Sequence, residues 1–164
     1  MDLPVSIQTS DDVKALFDYR DGQLFWKVKP RVNVSLGSVA GWLNEKTGYL
    51  KISYQRKSYL AHRLIFLYHH GYLPEIVDHI DNNQTNNQIE NLRNASKSEN
   101  GWNRNVNKNN KLGVKGVVFV DGGYRATICS NKKTKYLGRY KTLEQAKKIV
   151  SEARDKYHQE YARQ

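Results

Sequence analysis

Cysteine is nearly absent: the 164-residue chain has one, Cys129. That leaves no disulfide within a monomer and no cysteine-built zinc site, and it fits a reducing compartment. Long apolar runs are missing as well. No stretch approaches the roughly 18 residues of a membrane span, and Met1 to Ser10 lacks the basic-then-apolar order of a signal peptide. The expectation is a soluble, cytoplasmic protein. Hydrophobic residues make up only 38% and mean hydropathy is -0.78, so the core is modest, enough for one ordinary domain or two to three small modules.

Acid is scarce where base is plentiful. Residues 1–99 hold 12 Lys and Arg against 11 Asp and Glu, whereas residues 100–164 hold 15 against 5, so nearly the whole net charge of +11 lies in the last third. Trp102, Tyr124, Tyr136, Tyr140 and Tyr157 are interleaved with those cations. A basic segment with aromatics suggests a polyanion partner, because Lys and Arg on phosphates release counterions and supply most non-specific affinity.

What is present is concentrated between Val77 and Arg104. Val77-Asp78-His79-Ile80-Asp81 reads as a strand, Asn82, Asn83, Asn86 and Asn87 as a turn, and Ile89-Glu90-Asn91-Leu92-Arg93 as a second strand. Ser96-Lys97-Ser98-Glu99 is a capping box that opens a helix and places Asn100 in its first turn. A hairpin folded against that turn would gather a carboxylate, an imidazole and an amide at one small site. Such a trio suits a metal ion.

Asp78-His79, Asn91 and Asn100, spaced twelve and nine residues apart from His79 onward, resemble the HNH endonuclease motif in its His-Asn-Asn form. Ala61-His62-Arg63-Leu64 and Asn91-Leu92-Arg93 resemble the phage and intron homing branch of that family. The resemblance implies a ββα-metal fold in which Asp78 and Asn100 bind a divalent ion, His79 is the general base and Asn91 braces the loop. It also implies a gene carried by a phage or mobile element in a bacterial host. The chemistry is consistent with this. Phosphodiester hydrolysis needs an activated water and a cation to neutralise charge on the phosphorane and the leaving 3′ oxygen. An imidazole of ordinary pKa, about 6.5, can accept the proton. An Asp carboxylate with an Asn carbonyl oxygen is a hard, oxygen-only set, which favours Mg²⁺ or Mn²⁺.

Upstream, Asp11 to Tyr19 has Val13, Leu16 and Phe17 at helical spacing, and Asp21-Gly22 is a turn before the strand Leu24 to Val28. Gly37 to Leu43, Tyr49 to Tyr54 and Lys57 to Leu60 suggest further short strands. Lys27, Lys29 and Arg31 are candidate DNA-backbone contacts. Ala61 to His70 reads as a helix stopped by Gly71, with Pro74 beyond. His62 fits two roles there, a phosphate or site-bracing contact and a hydrogen-bonded structural histidine. His69, His70 and His158 carry no assigned chemistry.

Residues 103–112 are polar, basic and without apolar period, which reads as a linker able to track a DNA backbone through Arg104 and Lys108. After it, Val114 to Val120, Tyr124 to Cys129 and Thr134 to Tyr140 read as three strands, followed by a helix from Thr142 with the apolar stripe Leu143, Ala146, Ile149, Val150, Ala153 and Tyr157. Gly113-Val114-Lys115-Gly116-Val117, Tyr124-Arg125-Ala126-Thr127-Ile128 and Leu137-Gly138-Arg139-Tyr140 resemble the APETALA or ethylene-response-factor DNA-binding domain. That resemblance implies a sheet laid in the major groove. Strand alternation turns Arg125, Thr127, Cys129, Thr134 and Tyr136 outward. The guanine-reading arginines of the plant pattern fall on Val118, Cys129 and Thr134, so guanine-rich specificity is not carried over. Lys115, Lys132, Lys133, Lys135 and Arg139 are left as phosphate contacts, which position without specifying.

The expected architecture is α+β, with a ββα-metal nuclease centre at 59–106 between an N-terminal β-rich module at 1–58 and, after a basic linker at 107–112, a C-terminal sheet packed on one helix at 113–164. The expected function is a site-directed, homing-type endonuclease on double-stranded DNA. His79 and Asn91 would be its catalytic pair, and Asp78 and Asn100 its metal ligands. DNA would meet Arg93 and Arg104 near the motif and the basic residues and Tyr136 beyond it. One motif per chain predicts a nick from a monomer and a double-strand break from a homodimer or two events. A catalytically silent DNA-binding regulator and a structured-RNA binder are the competing readings.

Overall fold

A computed structural model describes residues 4, 6–103, 106–107, 109–130 and 133–158. Helices and strands are mixed throughout, an α+β fold, and the chain divides into two compact units, residues 1–95 and 96–164. No helix among the described residues is long and apolar enough to cross a membrane.

The first unit begins with α1 (Ser10–Leu16), closed at its start by a capping box in which Thr9 Oγ1 accepts the Asp12 N–H and the Asp12 carboxylate accepts the Thr9 N–H. The sequence pattern extends this helix to Tyr19, but it stops at Leu16. Phe17 to Arg20 are instead drawn into strand β1 (Phe17–Arg20), which pairs antiparallel with β2 (Gln23–Trp26) across the Asp21-Gly22 turn. Both turn residues have positive φ, +45° and +79°, the twist that a two-residue hairpin requires. A second sheet has the order β3 (Trp42–Asn44), β4 (Tyr49–Tyr54), β5 (Lys57–Leu60), all antiparallel.

Helix α2 (Ala61–His70) follows β5 directly and ends at Gly71 in the left-handed region, whose N–H bonds the Leu67 carbonyl. Its buried face, Leu64, Ile65, Phe66 and Leu67, completes a core with Val13, Leu16, Phe17, Leu24, Ile52, Val77 and Leu92. That single core draws on both sides of residue 58. Against it lies the hairpin of β6 (Ile76–His79) and β7 (Leu92–Ala95), in which Asp78 stands opposite Arg93 and His79 opposite Leu92. The second strand starts three residues later than the apolar pattern suggests. Ile89–Asn91 form a turn of 3₁₀ helix, because the Asn91 backbone and side chain are both used to close the loop.

In the second unit α3 (Lys97–Asn103) opens with the expected capping box: the Ser96 hydroxyl accepts the Glu99 N–H and the Glu99 carboxylate accepts the Ser96 N–H. Strands β8 (Val117–Val120), β9 (Gly123–Ser130) and β10 (Lys133–Tyr140) form one antiparallel sheet with β9 central. Helix α4 (Leu143–His158) covers one face through Ala146, Val150 and Ala153, with Val117 and Ala126 beneath. The pattern starts the first strand at Val114, but the strand opens at Val117. Before it, Asn110 turns back to bond Leu112 N–H and the Val114 carbonyl.

Candidate active site

Asp78 and His79 are neighbours on β6, and successive strand residues point to opposite sides, so the two take different partners. Asp78 is 6% exposed. Its Oδ2 accepts from Arg93 Nε at 3.0 Å and from Arg93 Nη2 at 2.9 Å, directly across the hairpin. A buried carboxylate needs such pairing, since an unpaired charge there would be costly. Arg93, expected on DNA, has its guanidinium on Asp78.

His79, 4% exposed, lies on the other side. Its Nε2 is 2.8 Å from Asn87 Oδ1, its ring meets His62 edge-on at 4.9 Å, and Tyr49 stands at 6.0 Å. His62 projects from the first turn of α2 and is itself 4% exposed, its ring tilted against that of Tyr49 at 5.1 Å. Burial pushes the His62 pKa down to about 3, with His79 and Arg63 acting in the same direction. A neutral, enclosed ring packs against His79 and Tyr49.

Asn91 holds the twelve-residue connection together. Its Nδ2 donates to Asp81 Oδ1 at 2.9 Å and to the Asn86 carbonyl at 2.8 Å, its Oδ1 accepts the Asp81 N–H at 3.1 Å, and its carbonyl accepts the Ile80 N–H at 2.9 Å. Asp81 also accepts from Asn83 N–H and Asn86 Nδ2. Burial works to raise the Asp81 pKa, but the bonds from Asn86, Asn83 and Asn91 outweigh it and hold the carboxyl below its ordinary value. Asn100 stands in α3, in the second unit, with its N–H on the Ser96 carbonyl.

Among the described residues no three His, Cys, Asp or Glu side chains cluster as metal ligands. Within the first unit the candidate donor is the Asp78 carboxylate, a hard oxygen that fits an ion keeping most of its coordination for water and substrate. It does not fit a nitrogen- and sulfur-liganded zinc site.

Arg104, Lys108 and Lys132 lie outside the described residues. On the open face of the C-terminal sheet, Arg125 and Cys129 are exposed, Thr127 is half-buried, and Tyr136 is 64% exposed opposite Thr127. Lys133 is also exposed. Lys115 Nζ donates to the Trp102 carbonyl, and Arg139 donates to the carbonyls of Val120 and Asp121. Four of the five interleaved aromatics are engaged inside the unit. Trp102 stacks on buried His158 at 4.2 Å, Tyr124 and Tyr140 pack on the core, and Lys135 sits over Tyr157. Tyr136 alone of the five is open. Asn87 was legible only as a turn residue, and His158, whose Nε2 is 2.9 Å from the Cys129 carbonyl, had no signal at all.

A protein-family model described as HNH endonuclease matches residues 59–102, the span from the end of β5 through α2 and the β6–β7 hairpin into α3. The segment 59–102 is thus similar to the HNH endonuclease family. An uncharacterized HNH endonuclease, L560, of Acanthamoeba polyphaga mimivirus is 34% identical over 113 residues, 67% of this chain and 58% of that protein. Protein 3.8 of Escherichia phage T7 is 44% identical over 43 residues, 26% of this chain and 36% of that protein. The chain thus spans under two thirds of the length of either relative. No solved structure matches it significantly. The HNH segment holds every motif residue from Asp78 to Asn100, and the first unit contributes Tyr19, Gly22 and Tyr49 around it.

Proposed function

We propose that the protein is a metal-dependent HNH endonuclease that cuts double-stranded DNA at chosen sites, in the manner of homing enzymes. The observation that carries this reading is the pairing of a buried Asp78 with a His79 imidazole on one short strand, closed by an Asn91-braced loop, within a segment of HNH sequence. His79 takes a proton from the attacking water. Asn91 keeps the loop and the end of β6 in place while this happens, and Arg93 fixes the direction of the Asp78 carboxylate. When bound, Mg²⁺ or Mn²⁺ on Asp78 and Asn100 supplies charge neutralisation at the phosphorane and at the departing 3′ oxygen. The products carry 5′-phosphate and 3′-hydroxyl ends.

Substrate grip falls to the C-terminal sheet, whose open face carries Arg125, Thr127 and Tyr136 and is bordered by Lys133 and Arg139, with Lys115 nearby and Arg104, Lys108 and Lys132 adding charge. This is the role that its APETALA-like order suggests, with the sheet laid in the major groove. With one motif per chain, a monomer nicks.

The experiment is cleavage of a panel of supercoiled plasmids with Mg²⁺, Mn²⁺ or EDTA, comparing wild type with His79→Ala. Metal-dependent open circles from wild type alone are expected, and the ratio of nicked to linear product reports one site or two acting together. Duplex binding with intact plasmid under every metal would instead mark a silent DNA-binding regulator.

A further inference from the structure

Asn83 and Asn86 turn their amides onto their own loop, Asn83 to Thr85 and Asn86 to Asp81 and Gln88. Asn87 instead is 2% exposed and points at the His79 ring, Oδ1 to Nε2 at 2.8 Å. Both sides of its peptide are held. A Cβ on Gly22 would come within 2.9 Å of Gln88 N and 3.1 Å of the Asn87 carbonyl carbon, so the β1–β2 turn lies flush against this segment. Beyond it Tyr19 Oη accepts the Ile89 N–H at 3.1 Å, and before it Asn91 grips the Asn86 carbonyl.

The chemistry of the residue is odd for simple packing. Asn87 Nδ2 is buried with no hydrogen-bond partner among the described residues, and leaving such a donor unpaired costs about 1–3 kcal/mol. An apolar side chain of similar volume would avoid that cost. Retaining an amide here makes sense only for the half that is used, the oxygen on His79.

We propose that Asn87 is a positioning residue for phosphodiester hydrolysis: its side-chain carbonyl accepts the His79 Nε2–H, locking the ring's rotation and tautomer so that Nδ1 is the unprotonated, basic nitrogen. This rests on the nuclease reading above. The water proton goes to Nδ1 as its oxygen bonds to phosphorus, and the bond to the 3′ oxygen breaks with its electron pair left on that oxygen, which takes a proton from solvent. The edge-on ring of His62 confines the imidazole from another side, so rotation is blocked by packing and register by the amide.

Two substitutions separate this from a structural role. Asn87→Asp keeps an oxygen acceptor on Nε2, while Asn87→Leu keeps the volume and removes it. In the plasmid assay Asn87→Leu is expected to lose about 10–100-fold in kcat at unchanged KM, by analogy with the loss when the orienting partner of a metal-ligating histidine is removed, and Asn87→Asp to retain wild-type kcat within a few-fold. Equal kcat in all three proteins would overturn the proposal, as would an equal loss in both variants accompanied by an equal drop in Tm. A second readout needs no cleavage: NMR of the imidazole nitrogens should find His79 of wild type and Asn87→Asp protonated on Nε2, and His79 of Asn87→Leu mixed between tautomers. If wild type does not cut but the tautomers behave so, the nuclease reading fails and the orienting role stands. A wild-type His79 protonated on Nδ1 would overturn it.

Discussion

Lowering the pH should weaken the first unit through His62. Burial, with His79 and Arg63 adding to it, takes the ring's pKa from 6.5 to about 3 in the folded protein. The unfolded chain accepts the proton near 6.5 and the folded chain does not until about 3. The stability held by this neutral ring is therefore whole above pH 6.5 and is lost progressively as pH falls through the window down to about 3. Each unit of pH inside that window removes about 1.4 kcal/mol, so two units below the ordinary value about 3 kcal/mol is gone. Asp12, Asp81, His69 and His158 are also lowered and act with the same sign, so the wild-type curve alone does not isolate His62. The assay is urea unfolding at neutral and at mildly acid pH for wild type and His62→Phe, which keeps a ring between Tyr49 and His79. The variant should lose less stability on acidification by about 2–3 kcal/mol. Parallel pH dependences in the two proteins would refute the account of an enclosed, neutral His62.

Arg93→Met should destabilise the first unit by about 3–5 kcal/mol in urea unfolding, because it removes two charge-assisted hydrogen bonds from the buried Asp78 carboxylate, and adding Asp78→Asn should recover most of the loss. Asn91→Ala removes three side-chain hydrogen bonds from the loop and should cost about 2–4 kcal/mol. In the same variant the Asp81 carboxyl, read by NMR titration, should move back up toward its ordinary pKa. Arg125→Ala should lower the slope of log affinity for duplex DNA against log salt by about one, because Arg125 is an exposed cation on the open sheet face with no ion pair among the described residues.

Local signals in the sequence read well where one element decides its own form. The Ser96 to Glu99 box, Gly71 as the stop of α2, and the alternation that turns Ala126 and Ile128 inward and Arg125 and Cys129 outward all appear in the fold. Signals failed where a partner elsewhere made the choice. Helical spacing at Phe17 gave way to pairing with Trp26, and the strand pattern at Ile89 gave way to a 3₁₀ turn whose Asn91 amide closes the loop. Interleaved aromatics looked like a nucleic-acid surface because composition cannot separate a ring facing solvent from one stacked on His158 or packed beneath a sheet.

The asparagine-rich loop makes the same point for the site. By composition Asn83, Asn86 and Asn87 are alike, each a turn former, and spacing picks out only Asn91. What separates Asn87 is its placement beneath the Asp21-Gly22 turn of a hairpin some sixty-five residues earlier in the chain. The N-terminal segment carries no candidate catalytic group, yet Gly22 abuts the Asn87-Gln88 peptide, Tyr19 takes the Ile89 N–H and Tyr49 flanks both His62 and His79. Its contribution to the site is mechanical. It supplies the walls against which an otherwise solvated polar loop becomes a rigid mount for one imidazole, and no pattern confined to the motif could reveal it.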